Sequence, residues 1–220
     1  MGYKALVAIV GPSGSGKSTS LRNLNPDTTV ILDGERKGFP FKGSEKFDIR
    51  PFDNPASFDT AFSKALEKPN IENIVVESFT KYTEQVLTLC QKAYSGWDVW
   101  GNYAKMIRTK LNACKNQRAN VIFTALDEIV EIPQTDGSET ARRMIAVQGK
   151  EMRRNGIEPE FLLVFFTDVS IDKGKVSYRF ETNNSGVTTA KTPMGMFSER
   201  FIDNDLALAL ATAKKYYETP

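Results

Sequence analysis

The residues Gly11-Pro12-Ser13-Gly14-Ser15-Gly16-Lys17-Ser18 fit the pattern Gly-x4-Gly-Lys-[Ser/Thr] in full, and nothing else in the chain restricts its fold as tightly. The motif follows a continuous apolar run over residues 5–10, which reads as a parallel strand covered on both faces. It precedes residues 17–24, which read as a short helix stopped by Asn25-Pro26. Glycines let such a loop turn tightly with its N–H groups pointing inward. The helix that follows aims its positive end at the same anion. Lys17 is placed to reach the β- and γ-phosphates and Ser18 to ligate Mg²⁺. Chance gives such a match in on the order of one per cent of chains this long, and the strand before it and helix after it argue further against chance. Residues 11–19, with Thr19 the last, are therefore the candidate nucleotide-binding segment, with ATP and Mg²⁺ as the expected cofactors.

Strands and helices alternate along the rest of the chain. Residues 30–32 form a second apolar strand ending at Asp33-Gly34-Glu35, and a short strand lies near 47–51. A helix over 55–67 carries Phe58, Phe62 and Leu66 at near-helical spacing. Residues 71–76 are another buried strand with Glu77 and Ser78 at its end. A helical hairpin over about 79–116 is interrupted at 94–98, and the strand 120–124 leads into a polar loop of about fifteen residues. Residues 161–166 and 175–180 pair as a hairpin across Asp172-Lys173-Gly174. A last helix over about 205–217 has Asp203-Asn204 available as its N-cap. The pattern predicts one α/β domain over 1–220, with a mostly parallel sheet and an antiparallel C-terminal extension.

Composition excludes more than it selects. The 220 residues include no histidine, which removes His-based triads, His-ligated zinc and imidazole proton shuttles. A net charge of +2 does not by itself argue for a nucleic-acid partner. Cys90 and Cys114 lie in helical segments without metal-ligand spacing and read as buried reduced thiols. No run reaches the ~18 apolar residues of a membrane helix, and the first residues lack both a signal-peptide pattern and a myristoylation pattern. The expectation is a cytoplasmic protein with no membrane partner.

Hydrolysis on such a loop needs a second carboxylate at the end of an apolar strand to hold Mg²⁺ through water. Glu77 is the candidate, although the usual residue there is Asp; the alternative is a solvent-exposed strand-end Glu. Glu35 is the candidate general base, provided that strand 30–32 lies beside the phosphate-loop strand. The alternative is a loop carboxylate, with Asp33 turning the chain.

In this order the segments resemble RecA-like recombinases. Val30-Ile31-Leu32-Asp33-Gly34-Glu35 is similar to their water-activating segment, and Ile74-Val75-Val76-Glu77-Ser78 to their magnesium strand. Asn120-Val121-Ile122-Phe123-Thr124-Ala125 resembles the next strand, which implies Thr124 as the polar sensor of the γ-phosphate. Ala190-Lys191-Thr192-Pro193 resembles the segment whose lysine enters the neighbouring subunit's ATP site. The early phosphate loop, the Trp97/Trp100/Tyr103 segment and the late Ala-Lys-Thr look most like the compact phage ATPases of single-strand annealing and recombination. The resemblance covers roughly residues 3–215. It implies a RecA-like P-loop NTPase core, single-stranded DNA as partner, a ring or filament of like subunits, and the host cytoplasm if of phage origin.

It also implies two DNA-contacting loops, at about 93–101 and 127–147. The first holds Lys92, Tyr94, Trp97 and Trp100, whose rings either stack bases or anchor the helical hairpin with Tyr103 and Ile107. The second holds Arg142 and Arg143, with Lys150, Arg153 and Arg154 after it; these pair with phosphates or form a solvated face. Asp127, Glu128, Glu131, Asp136 and Glu139 oppose a simple phosphate-binding reading there. Two other classes stay open. One is a small-molecule or nucleoside kinase using Arg142, Arg143, Arg153 and Arg154 as a lid. The other is a non-hydrolysing, nucleotide-gated binding module, which the Glu77 departure keeps open.

Overall fold

Apolar residues spaced to cover both faces of each strand produce an eight-stranded sheet with helices on either side. The computed structural model describes residues 4–218 except 134, 136 and 137, so Asp136 lies outside the described residues. Six strands run parallel: β1 (Leu6–Val10), β2 (Thr29–Asp33), β3 (Asp48–Pro51), β4 (Asn73–Glu77), β5 (Asn120–Ala125) and β8 (Leu163–Asp172). β9 (Lys175–Glu181) and β10 (Phe201–Asp203) extend one edge antiparallel. The order is β10-β9-β8-β1-β5-β4-β2-β3.

Along β1 the side chains alternate between two cores. Leu6, Ala8 and Val10 face α1 (Pro55–Glu67), α2 (Phe79–Ala93) and α3 (Trp97–Lys115), with Phe58, Phe79, Tyr82 and Tyr103 filling that layer. Val7 and Ile9 face Leu21, Phe165 and Phe180 under α5 (Leu206–Glu218). At the opposite end from the phosphate loop, a ladder of amides pins the register. Asn73 donates to Thr29, Asn120 donates to Asn73, and the Ala5 amide donates to Asn120.

Several local expectations change. The segment after the phosphate loop is a 3₁₀ helix, Ser18–Asn23, rather than an α-helix. β2 lies beside β4 and β3 and is separated from β1 by two strands, β5 and β4. The fifteen-residue polar loop is instead a hairpin of β6 (Asp127–Pro133) and β7 (Glu139–Ile145), separate from the main sheet. The cap of α5 is Asp205, whose Oδ1 accepts from the Ala207 and Leu208 amides. α4 (Lys150–Asn155) follows the hairpin. The expected turn at Lys173-Gly174 is present, with φ of 48° and 79°, as a tight two-residue hairpin requires.

Candidate functional site

The parallel strands all end at the same edge, the place where ligands bind in open α/β sheets. A cleft of about 1140 Å³ opens there, lined by the phosphate loop, Glu35, Glu77 and Ser78 among others. The loop is built for close approach. Gly11 backs onto β8, where a Cβ would lie 1.8 Å from Thr167 Oγ1. Thr167 in turn donates to Val10 O at 3.1 Å and to Ser15 Oγ at 2.7 Å, and Ser15 donates to Pro12 O. Ser15 is thus a buried brace of the loop, while Ser13, Gly14, Gly16, Lys17, Ser18 and Thr19 face the cleft.

Lys17 Nζ donates to Gly11 O at 2.7 Å and Pro12 O at 2.8 Å, folded across its own loop. Burial lowers its pKa, partly offset by Glu77, Asp127 and Glu35. Phosphate oxygens suit this ammonium better than two carbonyls, since they bring negative charge as well as acceptors.

Glu77 closes β4 at only 3% exposure, which excludes the solvent-exposed alternative. Its Oε1 accepts from Ser18 Oγ at 2.7 Å and its Oε2 from Thr124 Oγ1 at 2.7 Å. Burial raises its pKa, and these two hydrogen bonds pull it partly back down. A hydroxyl and a carboxylate converging on one point are the hard oxygen donors that Mg²⁺ takes, and few protein ligands suffice because substrate phosphates and water complete its shell. No group of three or more His, Cys, Asp or Glu able to hold a metal occurs among the described residues. That spare donor set suits an ion brought in with a nucleotide.

Thr124 is fully buried because β5 lies between β1 and β4. Its hydroxyl meets Glu77, so it is a positioning residue for that carboxylate and does not line the cleft. Glu35 reaches the cleft although β2 is not next to β1. Asp33 Oδ1 accepts from the amides of Glu35 and Arg36, so Asp33 turns the chain there, and Glu35 lines the cleft without the strand adjacency expected for it. Ser78 Oγ then donates to Glu35 Oε1 at 2.6 Å. Sequence reading missed Ser78 as the hydrogen-bond partner of Glu35, although its place directly after Glu77 was visible.

The remaining candidates lie elsewhere. Lys191 forms a main-chain bridge with Val164, feels Glu158 and Glu160, and does not line this cleft. Arg143 donates to Asp127 at 2.7 Å and stacks over Phe166, while Arg142 sits beside it in β7. Arg153 pairs with Glu128 at 2.5 Å. Trp100 packs edge-on against buried Tyr103 and lies beside Gly149 at the start of α4, while Trp97 is 89% exposed and Lys150 and Arg154 are exposed on α4.

Fold and site together define a P-loop nucleotide-binding ATPase. The chain belongs to the AAA domain family, whose model matches residues 3–194. It is also similar to ABC transporter I family member 17 of Arabidopsis thaliana, 60% identical over 35 residues, a match taking in 14% of this chain and 13% of that relative. The chain thus spans about an eighth of that relative's length. No helix among the described residues is long and apolar enough to cross a membrane.

Proposed function

We propose that the protein is a magnesium-dependent ATPase acting on single-stranded DNA in annealing or recombination, with an ATP site completed between subunits of an oligomer. The observation that carries the hydrolytic reading is the convergence of two hydrogen-bonded sets on one cleft: Ser18–Glu77–Thr124 and Ser78–Glu35. Lys17 and the loop amides hold the triphosphate. Ser18 and Glu77 would hold Mg²⁺, which would supply positive charge against the phosphates. Glu35 takes the proton of the attacking water, with Ser78 holding its Oε1 and Lys37 pairing with its Oε2 at 3.5 Å. Lys191 of a neighbouring subunit stabilises charge on the γ-phosphate.

The DNA part is supported by the RecA-like order of segments and by the exposure of Trp97, Lys150 and Arg154. The four arginines of the kinase alternative are not among the cleft-lining residues. Buried Glu77, held toward its neutral form, favours a second reading in which nucleotide only gates binding. Phosphate release measured across a titration of single-stranded oligonucleotide tests both. A DNA-dependent rise supports the ATPase; a rate equal to the no-enzyme level leaves the gated module.

A further inference from the structure

One wall of the cleft is made of residues that phosphate chemistry does not use. Tyr178 of β9 and Asn204, just before α5, close on the back of the phosphate loop. A Cβ on Gly16 would lie 3.1 Å from the Tyr178 ring and 3.2 Å from the Asn204 carboxamide. Asn204 is only 4% exposed, faces the cleft, and its Nδ2 has no hydrogen-bond partner. Its backbone is fixed on both sides, the amide donating to Tyr178 O at 3.3 Å and the carbonyl accepting from Arg22 at 2.7 Å. Buried amide groups are ordinarily paired, so an orphan on a cleft wall calls for a partner on the ligand.

We infer that this wall is the base subsite and that Asn204 selects adenine. The inference rests on the phosphate loop holding the triphosphate tail. A carboxamide offers one donor and one acceptor side by side, which matches the adjacent amino donor and ring-nitrogen acceptor of adenine. Guanine presents two acceptors on the corresponding edge and meets only half of it. The side chain that would otherwise receive guanine's N–H donors is Asp205, and both its oxygens are engaged. Oδ1 accepts from the α5 amides and Oδ2 from Asn23 at 2.5 Å. The Tyr178 ring, 45% exposed, supplies a face on which a base stacks. Asp203 lines the same wall and is exposed, placed to accept from ribose hydroxyls.

Calorimetry with ATP, GTP and inorganic tripolyphosphate, each with Mg²⁺, tests this on the wild type, Asn204→Asp and Tyr178→Ala. The wild type binds ATP at least ~10-fold more tightly than GTP, the discrimination of a good two-bond amide–adenine pair. Asn204→Asp, of the same size, narrows or reverses that ratio. Tyr178→Ala weakens both nucleotides by a similar factor and leaves tripolyphosphate unchanged. If tripolyphosphate binds but ATP and GTP bind equally, or the preference survives Asn204→Asp, the base assignment is wrong and the phosphate site stands. If neither nucleotide nor tripolyphosphate binds, the phosphate site is wrong and this inference goes with it. Because Tyr178 is exposed, its variant keeps the test alive if Asn204→Asp does not fold.

Discussion

The Ser78 hydroxyl donates to Glu35 at 2.6 Å while its oxygen accepts from the Lys81 amide at 3.3 Å. One side chain therefore caps α2 and ties that helix to the turn after β2. Glu35 is thus held by the residue that directly follows Glu77 at the end of β4.

From this follows the first expected outcome. Glu35→Gln lowers single-turnover phosphate release by ~10²–10⁴-fold while ATP affinity stays near the wild-type value. Ser78→Ala gives a smaller drop in rate, and the missing helix cap lowers stability by ~1 kcal/mol. Rapid-quench kinetics beside calorimetric ATP titration separates rate from binding. A Glu35→Gln protein as fast as the wild type removes this residue from proton transfer.

Glu77 makes stability depend on pH. Burial raises its carboxyl above the ordinary 4.5, so the folded chain holds that proton more tightly than the unfolded chain does. The stabilisation is whole below the unfolded value and is lost as pH climbs through the raised folded value. Metal-free Glu77→Gln should therefore melt above the wild type at neutral pH, with the gap closing toward pH ~4. Its magnesium-dependent turnover should fall, because the amide carries no charge. Thermal unfolding across this range checks the sign, and identical slopes for the two proteins would show that folding leaves the Glu77 pKa unchanged.

The parts legible in the sequence were those whose residue types are dictated locally. Binding an anion with backbone amides demands glycines and a lysine in fixed order, so residues 11–18 declared themselves. Helix α1 was visible to the residue because Phe58, Phe62 and Leu66 repeat at near-helical spacing after Pro55, whereas its Asn54–Ser57 capping box shows only in the structure. What stayed hidden depends on neighbours distant in the chain. Thr124 reads as a sensor until β5 is seen inserted between β1 and β4, which turns its hydroxyl onto Glu77. The β6–β7 hairpin reads as a loop because, standing off the main sheet, its strands keep much of their surface in water and stay polar. Asn204 meets Gly16 only after the whole sheet has formed.

Gly11 tests the loop's packing. In Gly11→Ala the new methyl collides with Thr167 Oγ1 on the next strand. Overpacking of this kind costs about 1–3 kcal/mol or more. Adding Thr167→Ala removes the closest oxygen, so the double variant should be more stable than the two single variants predict when their effects are added. Denaturant unfolding of the four proteins measures the coupling. Strict additivity would mean that the loop shifts away from β8 instead.

Lys191 lies outside its own cleft, so its removal should leave a monomer's ATP affinity nearly unchanged and abolish turnover of the assembled protein. Calorimetry at low protein concentration beside phosphate release at high concentration separates the two. A collapse of monomer affinity rules out action on a neighbouring subunit.

The basic residues near the hairpin divide by what they already touch. Arg143 is committed to Asp127 and Phe166, and Arg153 to Glu128, whereas Lys150 and Arg154 are exposed on α4. The double variant Lys150→Ala/Arg154→Ala should weaken oligonucleotide binding and reduce the salt slope by ~2, one unit for each phosphate no longer neutralised. Trp97→Ala should cost ~1–3 kcal/mol at every salt concentration, because stacking releases no counterions. Arg143→Ala should instead lower the melting temperature, since it leaves Asp127 without its partner. Fluorescence anisotropy with a single-stranded oligonucleotide at several salt concentrations resolves the three. If Arg143→Ala alone reduces the salt slope while its melting temperature holds, the strand runs along β6–β7 and not past Trp97.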